Sequence, residues 1–192
     1  MRKSVITLSA VFVAMFALSA CSNTNVHSDG TVHTPGVIDY SVFDENAVMF
    51  AQMMIPHHDQ AVVIAELAAQ KSSNPEVIAL STQIKYTQEP EILRMTKWLQ
   101  TAGAPLGDVS AHAGHMDGML TEEELTALEN ASGTDFDKLW IESMIKHHEG
   151  AVAMTESLVA GSKNAEVEAL ARQIIENQSN EIDYMTQLLS AL

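Results

Sequence analysis

The chain has little that would fix a covalent or basic function. Cys21 is its only cysteine, so neither an intramolecular disulfide nor a multi-thiolate metal site can form. Lys and Arg number 10 against 25 Asp and Glu, a formal net charge of −15, and nucleic acid, which needs a basic footprint, is not an expected partner. Aromatic residues make up only 5% of the sequence. No Glu-x-x-His occurs anywhere, which argues against the paired carboxylate–histidine set of di-iron and di-manganese bundles. The one long apolar run, Val5 to Ala20, falls short of the roughly 20 residues of a comfortable transmembrane helix.

What is present begins with an export signal. Arg2 and Lys3 precede the apolar run, which ends in Leu18-Ser19-Ala20-Cys21, and the chain then turns polar. The tetrapeptide resembles a bacterial lipobox; it predicts a signal peptide over 1–20, lipid on Cys21, and anchoring on the extracytoplasmic face of a bacterial membrane. The alternative is an ordinary signal peptide with a chance cysteine. The remaining 172 residues carry a net charge near −17 and suffice for one well-buried domain. Such an acidic surface raises the local cation concentration or simply confers solubility.

Residues 21–42, rich in Ser, Asn, Thr, Gly and Pro, read as a flexible tether without a fold. Helical patterns fill 43–192: repeat one over 43–102, a connection over 103–133 and repeat two over 134–192. Ser41 and Asp44 form a candidate capping box for the first long helix, and Asn74-Pro75-Glu76 opens the second, which Gly103 ends. Thr134 and Asp137 are candidate caps of the third, Gly161 ends it, and Asn164 opens the fourth. In the connection, Thr121 to Glu124 is a capping box for a short extra helix to about Asn130. No segment carries a strand pattern. Two hairpins with apolar stripes at helical spacing must cover one another, which predicts an all-α four-helix bundle.

The two repeats are copies. Phe50–Leu99 laid over Trp140–Leu189, an offset of 90 residues without a gap, gives 21 identities in 50. The identities include ligand-type residues: Met54, His57, His58, Gln88, Glu91 and Met95 return as Met144, His147, His148, Gln178, Glu181 and Met185. Antiparallel geometry places His58 level with Gln88, with Met54 and His57 within about a turn of Glu91; the second hairpin repeats this.

Imidazole and thioether together suit copper, thioether favouring Cu(I). Each Glu either ligates or orients a ligating His. Adjacent histidines point about 100° apart, so one of each pair faces outward or toward the other hairpin. Pro56 and Pro90, at matching heights in repeat one only, predict two non-equivalent sites. His112, His115, Met116 and Met119 form a candidate third, exposed site in the connection. Glu66 and Glu156, too far along their helices, read as solvated or interhelical.

Met54 to Val62 with Gln88 to Met95, and Met144 to Val152 with Gln178 to Met185, resemble the Met-Ile-x-His-His-x-x-Ala-Val and Gln-x-x-Glu-Ile-x-x-Met stretches of the domain of unknown function 305 family. The resemblance spans Phe43–Leu192 and implies a ferritin-like four-helix bundle, usually exported, with some members implicated in periplasmic copper binding and resistance. Pro90 departs from the family pattern.

The leading expectation is therefore a membrane-tethered extracytoplasmic protein that binds or buffers copper, with catalysis less expected but left open. The rivals are a metal-free structural or partner-binding bundle and a ferritin-like di-metal oxidoreductase. Expected partners are the metal ion and the membrane, through the lipid on Cys21; the sequence leaves a homo-oligomer open.

Overall fold

The computed structural model describes residues 25–26, 32–33, 37–106, 116–159 and 161–192. The chain divides into two units, Met1–Pro35 and Gly36–Leu192. In the first, β1 (Asn25–Val26) and β2 (Val32–His33) pair antiparallel, Asn25 opposite His33 and Val26 opposite Val32. The sequence pattern does not lead one to expect these strands, because two residues are too few to show alternation. Each does contribute a β-branched valine suited to a pleated surface. The expected signal peptide and the expected lipid attachment at Cys21 lie outside the described residues.

Local chemistry delimits each helix of the second unit. Asp44 accepts from the Ala47 N–H at 2.9 Å and opens α1 (Glu45–Lys71); it does so alone, not through a capping box with Ser41. Asn74 accepts from the Glu76 N–H and Pro75 sits in the first turn of α2 (Pro75–Ala102), which ends on Gly103 at φ 66°, a left-handed cap. Thr121 and Glu124 form the expected reciprocal capping box of α3 (Glu122–Asn130). Next come α4 (Gly133–Val159) and α5 (Ala165–Ala191), the latter capped by Asn164. Both α1 and α2 run on as helices through Pro56 and Pro90.

Asp137 is not a helix cap. It is buried and accepts from the Ser72 hydroxyl at 2.6 Å, tying the start of α4 to the turn between α1 and α2. The counterpart of Ser72, Ser162, donates to Asp44 at 3.3 Å. Each hairpin thus latches its turn to the start of the other, and the hairpins lie head to tail. Before α1, Ile38 packs on the core and the Asp39 N–H donates to the Ala102 carbonyl at 2.8 Å.

The result is a four-helix bundle of two duplicated hairpins with α3 in the connection. Its interior is not one continuous apolar mass. One cluster joins Phe50, Met54, Met95, Trp98 and Leu99 to Val167, Leu170 and Ile174; the other joins Ile64, Val77, Leu80 and Ile84 to Phe136, Trp140, Met144 and Met185. The buried side chains outside both are mostly the duplicated histidines, glutamines and glutamates. Within the bundle α1 packs closely on α4, whereas α2 and α5 stand further apart. Among the described residues no helix is long and apolar enough to cross a membrane.

Candidate metal centre

His57, His58, Gln88, Glu91, His147, His148, Gln178 and Glu181 are all buried, none more than 6% exposed. Met54, Met95, Met144 and Met185 are completely buried. All twelve duplicated residues thus lie in the interior, with Met54 and Met95 in one apolar cluster and Met144 and Met185 in the other.

The two hairpins build the same hydrogen bond. His58 Nε2 donates to Glu91 Oε2 at 2.8 Å, and His148 Nε2 donates to Glu181 Oε2 at 2.8 Å. Counting residues from the turn of the hairpin places His58 opposite Gln88; its side chain instead meets Glu91, three residues on. Helical side chains lean toward their own N-terminus, so on antiparallel helices His58 and Glu91 lean toward each other and close the offset. A neutral imidazole that donates through Nε2 has its lone pair on Nδ1. Both His58 Nδ1 and His148 Nδ1 are buried without a protein partner. Each glutamate thus fixes the orientation of its ring, the same geometry by which carboxylates in metal sites hold histidines from behind.

The other two histidines meet across the hairpins. The rings of His57 and His147 lie 3.8 Å apart between centroids, tilted by 45°. This contact links the histidine pairs of the two hairpins, which the duplication alone would leave as separate copies. His57 Nε2 donates to the Asp117 carbonyl at 3.2 Å, whereas neither nitrogen of His147 has a partner. Burial pushes the His57 pKa down to about 3, the neighbouring His58 adds to the shift, and the Asp117 carbonyl opposes it. Burial, followed by the charges of His57 and His148, also holds His147 well below the ordinary value. Both rings are neutral at physiological pH, with lone pairs available to a metal.

The connection makes the halves unequal. Gly118, at φ +83°, and Gly150 on α4 approach so closely that a Cβ on Gly150 would lie 2.0 Å from the Asp117 carbonyl oxygen. Position 60, the counterpart of 150, is a glutamine, and Gln60 grips Leu120 twice: it accepts from the Leu120 N–H at 2.8 Å and donates to its carbonyl at 2.9 Å. Residues 116–120 thus form a strap held by a glutamine on α1 and seated in a glycine gap on α4. Met116 in this strap is buried and Met119 half-buried against the first cluster, not exposed. His112 and His115 lie outside the described residues. Glu66 pairs with Lys85 at 2.5 Å between α1 and α2, away from this layer.

One duplicated pair escaped the sequence analysis. Gln83 on α2 donates to Glu181 Oε1 at 3.3 Å, and its counterpart Gln173 on α5 donates to Glu91 Oε1 at 3.5 Å. Each glutamate holds a histidine of its own hairpin and accepts a glutamine from the other. The signal was available, since Gln83 and Gln173 are among the 21 identities; only their relation across the hairpins was not.

Does this layer fit a metal? Among the described residues no three His, Cys, Asp or Glu side chains already converge on one point. Ligation therefore calls on thioether and amide as well as imidazole. The buried donors without partners are of that kind: four imidazole Nδ1 atoms, His147 Nε2, both amide atoms of Gln88 and Gln178 Oε1. An unpaired buried polar group costs about 1–3 kcal/mol, so so many in one layer are unexplained by stability alone. Nitrogen and thioether donors in a dry interior fit a soft cation such as Cu(I) better than a hard one.

Fold and layer define a ferritin-like duplicated bundle with a His- and Glu-lined interior. The chain belongs to the domain of unknown function (DUF305) family, whose model matches residues 47–189. It is similar to the DUF305 fragment from Deinococcus radiodurans, at 34% identity and TM-score 0.71 over 77% of this chain and 97% of that one. A DUF305 protein from Streptomyces coelicolor, described as secreted, shares 28% identity at TM-score 0.71 over 76% of this chain and 93% of its own. CopM in the Cu(I)-bound form matches at 34% identity and TM-score 0.64, over 76% of this chain and 96% of that one; its Cu(II)-bound, Ag-bound and apo forms also match. No curated protein matches the chain.

Proposed function

We propose that this is a membrane-tethered extracytoplasmic protein that binds and buffers copper, favouring Cu(I), through histidine and methionine on the bundle helices. The observation that carries the reading is the duplicated His–Glu hydrogen bond, which leaves a buried ring nitrogen without a protein partner in each hairpin, in an interior that also holds four fully buried methionines. CopM, similar in sequence and fold, has Cu(I), Cu(II) and Ag-bound forms, and the Streptomyces relative is described as secreted; both support the reading. Met54, His57, His58, Gln88 and Met95 with their counterparts would supply donors, and Glu91 and Glu181 would hold two of the rings. Cys21, behind its lipobox, would carry the anchor.

Elemental analysis of untagged protein, followed by titration against a competing Cu(I) chelator, tests the proposal. Copper at tight stoichiometry is expected. Iron would point to a di-metal oxidoreductase, and no metal to a structural bundle. For the tether, Cys21→Ser should move the protein from the membrane fraction to the soluble one; a processed variant that stays membrane-bound without detergent contradicts it.

A further inference from the structure

The face between α2 and α5 carries two cavities related by the duplication. One, of about 300 Å³, is lined by Gln83, Thr87, Asn177, Asn180, Glu181 and Tyr184, among others. The other, of about 250 Å³, presents Glu91, Gln173, Thr87, Pro90 and Arg94. In each, the inner wall is the glutamate that holds a buried histidine, and the glutamine from the opposite hairpin binds that glutamate's second oxygen. Each of these cavities reaches one glutamate of the buried layer.

Their mouths differ in charge at one duplicated position. Arg94 lines the Glu91 cavity, its guanidinium anchored by Glu166 at 3.3 Å and lying over Trp98. The equivalent residue at the Glu181 cavity is Tyr184, neutral and 42% exposed. Pro90, which has no side-chain donor or acceptor, is replaced there by Asn180. The Glu181 cavity therefore combines one buried acidic group, three amide side chains and two hydroxyls, with no cation, on a chain of net charge −15. A low-dielectric cleft lined by a single negative charge concentrates cations, and a fixed guanidinium opposes them.

We propose that the Glu181 cavity is the port through which a cation reaches the buried imidazoles. There Glu181 Oε1 and the amide oxygens of Gln83, Asn177 and Asn180 hold the ion transiently on oxygen. Gln83 donates its amide N–H to Glu181, which leaves its amide oxygen for the ion. From Glu181 the next group inward is His148, 2.8 Å away. The Glu91 cavity is the disfavoured twin, gated by Arg94. This proposal rests on the copper-site reading above.

Uptake kinetics test it. Apo protein is mixed with Ag(I) as the aqua ion and tryptophan fluorescence is followed by stopped flow. Tyr184→Arg, which copies the guanidinium of the other mouth, is expected to slow uptake at least about tenfold at low salt. Its equilibrium affinity should stay within about twofold of wild type, and the slowing should shrink as salt rises. Tyr184→Phe should load like wild type, and Arg94→Tyr no more slowly. Unchanged uptake in a helical Tyr184→Arg, or equal slowing by Arg94→Tyr, overturns the port while leaving the copper site standing. Wild-type protein that takes up neither Ag(I) nor Cu(I) overturns both. Mn(II), suited to oxygen donors and not to thioether, gives a second readout. It should broaden the side-chain amide signals of Gln83, Asn177 and Asn180 more than that of Gln173, and equal broadening again overturns the port.

Discussion

The four histidines of the central layer fall into two kinds that the sequence could only partly tell apart: His58 and His148 each meet a glutamate, and His57 and His147 meet each other. The repeated His-His pair and the Gln-x-x-Glu-x-x-x-Met run announced the ligand types, because duplication at a fixed offset is visible without any structure. Which ring bonds which carboxylate was not legible, since it depends on side chains leaning toward one another by about one helical turn. With His58 on Glu91 and His148 on Glu181 at 2.8 Å, removal of the acceptor should release the ring without emptying its position. We expect Glu91→Ala and Glu181→Ala each to weaken Cu(I) binding about 10- to 100-fold in a chelator competition. Unchanged affinity would mean that the glutamates serve the fold alone. Gln88 tests the opposite trade, because both of its buried amide atoms lack partners. Gln88→Leu should raise the apo protein's stability to urea by up to about 1–3 kcal/mol while weakening copper binding. A less stable, equally metal-avid variant would show that Gln88 has a structural partner instead.

At the level of elements, helix limits were legible where capping chemistry is local. Asn74, Gly103 and Thr121 with Glu124 mark boundaries that the structure bears out. Asp137 misled because its acceptor is used across the molecule by Ser72, a contact 65 residues away in sequence. The strap over residues 116–120 was equally hidden, as it depends on Gly150 lacking a Cβ opposite Asp117. Gly150→Ala places a methyl group where 2.0 Å separates it from a backbone oxygen, so the strap must move. Hydrogen exchange should show the segment around Met119 and Leu120 opening more often, and the Asp117 bond to His57 should be lost, with α1, α2 and α5 still protected. Protection equal to wild type would contradict the close packing. Gly133→Ala, whose added Cβ would meet nothing within 4 Å, should cost only the strain of its φ of +58°, about 1 kcal/mol.

For the whole molecule, pattern and duplication were enough for the four-helix bundle, because apolar stripes on two hairpins leave few ways to be buried. The contact between the two histidine pairs was not legible: nothing in the spacing says that His57 and His147 meet at 3.8 Å across the hairpins. That contact carries a pH dependence with a definite sign. The unfolded chain protonates these histidines near 6.5, whereas folded His57 resists protonation to about 3 and His147 is shifted the same way. Their contribution is therefore fully present above about pH 6.5 and is lost as pH falls from there toward 3. It falls by roughly 1.4 kcal/mol per unit for each such histidine, which urea denaturation of the apo protein across that window will measure. On the proposed copper reading, a centre shared across this contact means that His57→Ala with His58→Ala should remove more than half of the tight Cu(I) sites, as should the equivalent change at His147 and His148. Loss of one half each would restore two independent copies. The most direct test of a buried copper layer is X-ray absorption at the copper edge on Cu(I)-loaded Cys21→Ser protein, in which every remaining sulfur is a methionine. We predict both imidazole nitrogen and sulfur in the first coordination shell, with the sulfur contribution reduced in the additional Met54→Leu, Met144→Leu variant. A shell of oxygen and nitrogen alone, or sulfur unaffected by removing both methionines, would contradict the account.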